Sequence, residues 1–96
     1  RFQIRSEPVQ QPLSADQHRA LHRLVEVMRA EPDISEPDLI PHMQGLCEGT
    51  ELTLKTLCPV VYDLLLGRDR GPKLTTLLTT LGGEKAVSLF EPSLSE

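Results

Sequence analysis

Apolar positions recur at helical spacing along most of this chain, beginning just after residue 13. Leu21, Leu24, Val25 and Met28 fit the i, i+3, i+4, i+7 template of an amphipathic helix. Ser14 stands before them with Gln17 three residues on, the capping-box spacing in which each side chain bonds the other's backbone N–H. Glu31-Pro32-Asp33 ends this first helix. A second stripe, Leu39, Ile40, Met43, Leu46 and Cys47, begins between Ser35 and Asp38 and stops at Gly49. Pro41 favours Asp38 as its N-cap, because a proline in the first turn removes only an N–H that has no partner there. A cap at Ser35 would place Pro41 a turn deeper and kink the helix.

The third helix spans about residues 50–66, with Leu54, Leu57, Cys58, Val61, Leu64 and Leu65 on one face. That stripe continues unbroken across Pro59, so a bend rather than a break is predicted. A fourth helix starts at Pro72 and carries Leu74, Leu77, Leu78 and Leu81 inward, with Thr75-Thr76 and Thr79-Thr80 facing away. Gly82-Gly83 ends it. Residues 84–90 form a last helix with Ala86, Val87 and Phe90 inward, and residues 92–96 are read as a fraying tail. Residues 1–13, with Pro8, Pro12 and few apolar points, form an extended leader or linker, in which Phe2 and Ile4 alternate as in a short strand. The fold class is therefore all-α, one bundle of about five short helices over residues 14–91 behind that leader.

Composition supports this reading. Leucine supplies most of the apolar mass, with no Trp, one Tyr and two Phe, whereas strands draw on β-branched and aromatic residues. No apolar run approaches the ~18 residues of a membrane span, and no signal-peptide core opens the chain. Cys47 and Cys58 sit in apolar helical patterns without metal-ligand spacing. They read as buried hydrophobes of a reducing, cytoplasmic compartment, a single disulfide being the alternative. The chain begins at Arg1 rather than Met, as a fragment or a processed product would.

Candidate chemistry is sparse. His18 and His22 share a helix face beside Arg19 and Arg23, but the third ligand and the acid of a His-Glu-x-x-His zinc site are missing, so this is read as a solvated face with no metal. His42 near Cys47 lacks the third group a nucleophilic pair requires. No motif for catalysis or for a cofactor is present. Glu31, Asp33, Glu36 and Asp38 are placed as a helix N-terminus prefers them. What remains is Gly67-Arg68-Asp69-Arg70-Gly71-Pro72-Lys73, the densest positive charge in a chain of net charge −4. Gly67 suits a left-handed helix end and Pro72 a first helical position. Arg68, Arg70 and Lys73, joined by Lys55 and the free N–H groups of the fourth helix, would seat a nucleic-acid phosphate. The rival reading pairs the arginines with Asp63 or Asp69 as surface salt bridges. The acidic net charge argues against a large RNA footprint.

The string Val60-Val61-Tyr62-Asp63-Leu64-Leu65-Leu66-Gly67-Arg68-Asp69-Arg70-Gly71-Pro72-Lys73-Leu74, followed by Leu81-Gly82-Gly83-Glu84-Lys85, resembles the C-terminal end of class I lysyl-tRNA synthetases. Glutamyl-tRNA synthetases are similar in a weaker form. The resemblance covers roughly residues 33–90. It implies a C-terminal helical domain contacting the tRNA anticodon stem-loop, with Arg68, Arg70, Lys73 and Lys55 as the RNA-binding residues and tRNA as the partner. The nucleotide-binding motifs of the catalytic domain are absent, so this piece alone implies no aminoacylation. The chain departs from the pattern at Cys58 and Leu77, where lysyl enzymes tend to carry aromatics. The alternative function is a helical protein-interaction module, using the Thr-rich fourth helix or the acidic entry to the second.

Overall fold

The computed structural model describes residues 3–95. It is all-helical among those residues: α1 (Ala15–Ala30), α2 (Glu36–Gln44), α3 (Leu54–Leu66), α4 (Leu74–Leu81) and α5 (Gly83–Leu94). The helices α1, α2, α4 and α5 close a ring of pairwise packing, and α3 lies against both α1 and α5, whose pairing is the most extensive in the molecule. Ala20, Leu21, Leu24 and Met28 of α1 meet Ala86, Leu89 and Phe90 of α5 in a core where each is fully buried. Burying a leucine or phenylalanine side chain stabilises by roughly 1.5–3 kcal/mol, so this seam is the main source of stability. Among the described residues no helix is long and apolar enough to cross a membrane.

The predicted capping box opens α1: Ser14 accepts from the Gln17 N–H at 3.1 Å, and Gln17 accepts from the Ser14 N–H at 2.9 Å. The start of α2 differs from expectation. Its N-cap is Ser35, not Asp38, and the Ser35 hydroxyl accepts from the Asp38 N–H at 3.3 Å. Pro37 then stands in the first turn, where its missing N–H has no consequence. Pro41 lies inside the helix but on its exposed side, so the carbonyl it leaves without a helical partner faces water. Only Leu39 and Met43 of α2 are buried. Ile40, read as part of the stripe, is 38% exposed. The helix also ends earlier than Gly49, at Gln44, and Leu46 reaches the core from a turn.

Two later prolines also lie inside helices without breaking them. Pro59 is exposed on α3, which runs unbroken from its Thr53 cap to Gly67, and α5 continues through Pro92 to Leu94. The reason α5 does not fray there is Ser93. It is fully buried, its hydroxyl accepts from the Gln11 N–H at 2.9 Å, and it bonds the Val9 carbonyl at 3.3 Å. The leader is thereby strapped to the bundle. Ile4, Val9 and Leu13 pack onto the core, and the Arg5 N–H donates to the Leu65 carbonyl at 2.8 Å. The proposed strand at Phe2 and Ile4 lies partly outside the described residues; Ile4 itself is in no strand.

Candidate nucleic-acid interface

The α3–α4 turn is shaped by residues that lie beneath it. Gly67 ends α3 in the left-handed conformation, φ 74°, with its N–H on the Asp63 carbonyl at 2.8 Å. Any side chain at Gly71 would strike Leu66, since a Cβ there would lie 2.6 Å from its Cδ1 and 3.2 Å from the Tyr62 ring. The Tyr62 hydroxyl donates to the Pro72 carbonyl at 2.5 Å. Burial pushes that phenol above its ordinary pKa, so it remains a donor at neutral pH. With its carbonyl turned to Tyr62, Pro72 stays outside α4, which begins at Leu74 with Lys73 as a cap lacking a side-chain bond. The expectation that α4 starts at Pro72 is corrected by two residues.

The predicted cations divide into three groups. Arg70 stands in water, its side chain 86% exposed and 3.8 Å from an Asp69 carboxylate that is 79% exposed. Arg68 is exposed on the same turn and lines an open cavity of about 540 Å³ with Gln3, Arg5, Glu7 and Leu66. Lys73 is turned toward α2, with Nζ 3.4 Å from Glu36 Oε2. Lys55 stands in the first turn of α3, so about 20 Å of helix separates it from Arg68. Arg68 and Arg70 are thus both exposed on the α3–α4 turn, Lys73 follows them beside Glu36, and Lys55 is at the other end of α3.

Glu36 also answers where an anion sits at the α4 N-terminus. Its carboxylate accepts from the hydroxyls of Thr75 at 2.7 Å and Thr76 at 2.8 Å, beside Lys73. Those two hydroxyl bonds, then the nearby ammonium, hold its pKa below the ordinary 4.5. The protein's own carboxylate thus lies on the Thr75 and Thr76 hydroxyls beside the first turn of α4. Thr75, read as facing away from the core, is buried for the same reason.

Two cations escaped the sequence reading altogether. Arg5, assigned to a linker, donates from Nε to the Asp63 carbonyl at 2.9 Å and lies 3.6 Å from the Asp63 carboxylate. It therefore takes the aspartate that Arg68 or Arg70 was expected to pair with. Arg23, assigned to a solvated face, donates from one nitrogen to the carbonyls of Leu46 at 2.9 Å and Glu48 at 2.6 Å. No local pattern signals either contact, because the partners are remote in sequence.

Neither cysteine is activated. Both thiols are free, and burial, the leading cause at each, pushes their pKa values up. Among the described residues no group of three or more His, Cys, Asp or Glu side chains could hold a metal ion. The chemistry available at the α3–α4 turn is that of charge and hydrogen bonding.

No family model matches the chain. It is 24% identical over 86 residues to the lysine–tRNA ligase of Treponema pallidum (strain Nichols). The match takes in 88% of this chain and 16% of that protein, so the chain spans under a fifth of its relative's length. It is thus similar to part of an aminoacyl-tRNA synthetase.

Proposed function

We propose that this chain is a tRNA-binding helical domain, the C-terminal part of a class I lysyl- or glutamyl-type aminoacyl-tRNA synthetase, that contacts the anticodon stem-loop. The observation that carries the reading is the likeness to a lysine–tRNA ligase across nearly the whole chain, α1 included. The α3–α4 turn supports it. Arg68 and Arg70 stand on a turn fixed from below by Tyr62, so they meet a phosphate without first ordering the backbone that carries them. Their role is phosphate contact, which supplies affinity and register rather than base identity. Arg5, paired with Asp63, lines the adjacent cavity together with Arg68 and adds a further cation beside it. Lys73 contributes long-range attraction while it remains beside Glu36. Lys55 makes a separate contact or none.

Titrating the chain with transcribed tRNA tests this directly. Changing Arg68 and Arg70 together to Ala should weaken binding and reduce the slope of log K against log salt by about 2, one unit for each phosphate no longer neutralised. Binding that ignores both the substitutions and the salt would overturn the reading in favour of a protein-interaction module.

A further inference from the structure

The basic face of α1 has no part in the α3–α4 turn, yet it borders an open cavity of about 620 Å³ lined by Ala15, His18, Arg19, His22 and Arg23. The two imidazoles there are parallel within 9°, with centroids 6.3 Å apart. Each ring is held from one side. His18 donates from Nε2 to the Leu94 carbonyl at 3.2 Å, and His22 Nε2 lies 3.8 Å from the Glu26 carboxylate. Arg23 is fixed on the carbonyls of the α2–α3 connection, so its charge stays beside the rings without closing over them. Arg19 is exposed, lines the cavity, and reaches toward Gly49. Two acids near this face have partners of their own: Asp16 accepts from the Glu51 N–H at 3.0 Å, and Glu26 faces His22.

We infer that this face is a second nucleic-acid contact, in which one unpaired base of a single-stranded RNA stacks between His18 and His22 while its phosphate lies on Arg19. A flat ring between two others needs two carbon contacts of ~3.5 Å, or about 7 Å, so with centroids 6.3 Å apart the rings have to part before a base enters. His22, half exposed on the surface of α1, makes that adjustment; His18 stays on Leu94. Stacking on aromatic side chains with a cation for the backbone is how unpaired RNA is commonly held, and it tolerates any base. The choice of RNA as ligand rests on the tRNA-binding reading above. The slot adds two flat rings to the charged groups of the α3–α4 turn.

The probe is a single-stranded pyrimidine hexaribonucleotide carrying one central 2-aminopurine, whose emission falls when it stacks. With the unaltered chain, quenching that saturates is expected. His22→Ala should weaken binding about five- to tenfold, whereas His22→Phe, which keeps a flat ring, should retain both binding and quenching. Arg19→Ala should lower the salt slope by about 1. No quenching with the unaltered chain, equal weakening in both His22 variants, or no weakening in either overturns the inference. A parallel tRNA titration with Arg68 and Arg70 changed to Ala keeps the two proposals apart. Quenching intact while tRNA ignores those arginines would sink the α3–α4 site alone. Loss of tRNA binding on their removal with no stacking at His22 would sink the slot alone.

Discussion

Between α2 and α3 the chain turns around an arginine; between α3 and α4 it turns with its arginines on the outside. In the first connection Arg23 reaches from α1 and gathers the Leu46 and Glu48 carbonyls, while Asp16 takes the Glu51 N–H. A loop without regular structure has many carbonyls to satisfy, and one guanidinium serves several at once. In the second, the supports are a tyrosine hydroxyl, two glycines and a leader arginine, and Arg70 is left 86% exposed. The same residue type is a staple in one place and a surface charge in the other. What separates them is whether main-chain carbonyls of a neighbouring connection are within reach.

The sharpest way to break this contrast is Arg23→Ala. It leaves several carbonyls of the α2–α3 connection without a donor, and hydrogen bonds to charged groups contribute ~1.5–3 kcal/mol each. Urea or thermal denaturation should show a drop of about 2 kcal/mol, or about 8–16 °C in Tm for a domain of this size. Arg23→Lys should recover less than half, because the shorter side chain does not carry a donor as far as the Nη1 that makes these bonds. A Tm unchanged in Arg23→Ala would mean the connection is held by Leu46 and Thr50 alone. Next comes Tyr62→Phe, which removes only the bond to Pro72 and should lower stability by about 1 kcal/mol. Its larger signature is at the turn. Backbone amide exchange of residues 67–73 should accelerate while that of α1 and α5 does not.

The helices themselves were legible because their signals are local. Ser14 and Gln17 specify a start within one turn of chain, and Gly67 specifies a stop by its own backbone freedom. The α2 start departs from expectation because the kink expected of Pro41 a turn inside a Ser35-capped helix does not outweigh that cap. On an exposed face the freed carbonyl bonds water, and the better cap at Ser35 prevails. Ile40 was misplaced for a related reason: a nine-residue helix buries only a narrow stripe, here Leu39 and Met43. The site was legible only in part. Arg68 and Arg70 were placed together by adjacency, but Glu36 on Lys73, Arg5 on Asp63 and Arg23 on Leu46 join residues 37, 58 and 23 positions apart. Periodicity says which face is wet; it does not say which charge finds a partner there.

Glu36 offers a middle case, a charged group used inside the molecule at the exit of the exposed turn. Its folded pKa lies below the unfolded 4.5, so it binds fewer protons folded than unfolded near that pH. Its contribution to stability is therefore present above pH 4.5 and lost as pH falls through the lower folded value. Denaturation midpoints taken from neutral pH downward should fall in that window for the unaltered chain. With Glu36→Gln that part of the decline should disappear, because the amide does not titrate. Persistence of an identical decline in the variant would remove Glu36 as its cause.

The smallest effect on stability should come from the residue with the largest proposed role. Arg70 lies 3.8 Å from Asp69 with both groups in water, where such a pair contributes ~0–1 kcal/mol and is screened by salt. Arg70→Ala should therefore leave Tm within about 2–4 °C, the shift of a surface change under ~0.5 kcal/mol. Asp69→Ala serves as the matched control. If Arg70 were a staple like Arg23, removing it would lower Tm and removing its acidic neighbour would do the same. If it is a charge kept for a partner, both variants stay folded, Arg70→Ala weakens tRNA binding, and Asp69→Ala strengthens it by relieving competition for the guanidinium. Opposite signs in binding with equal stability cannot arise from a structural role. A Tm decrease shared by both variants would place Arg70 with Arg23 and end the contrast between the two connections.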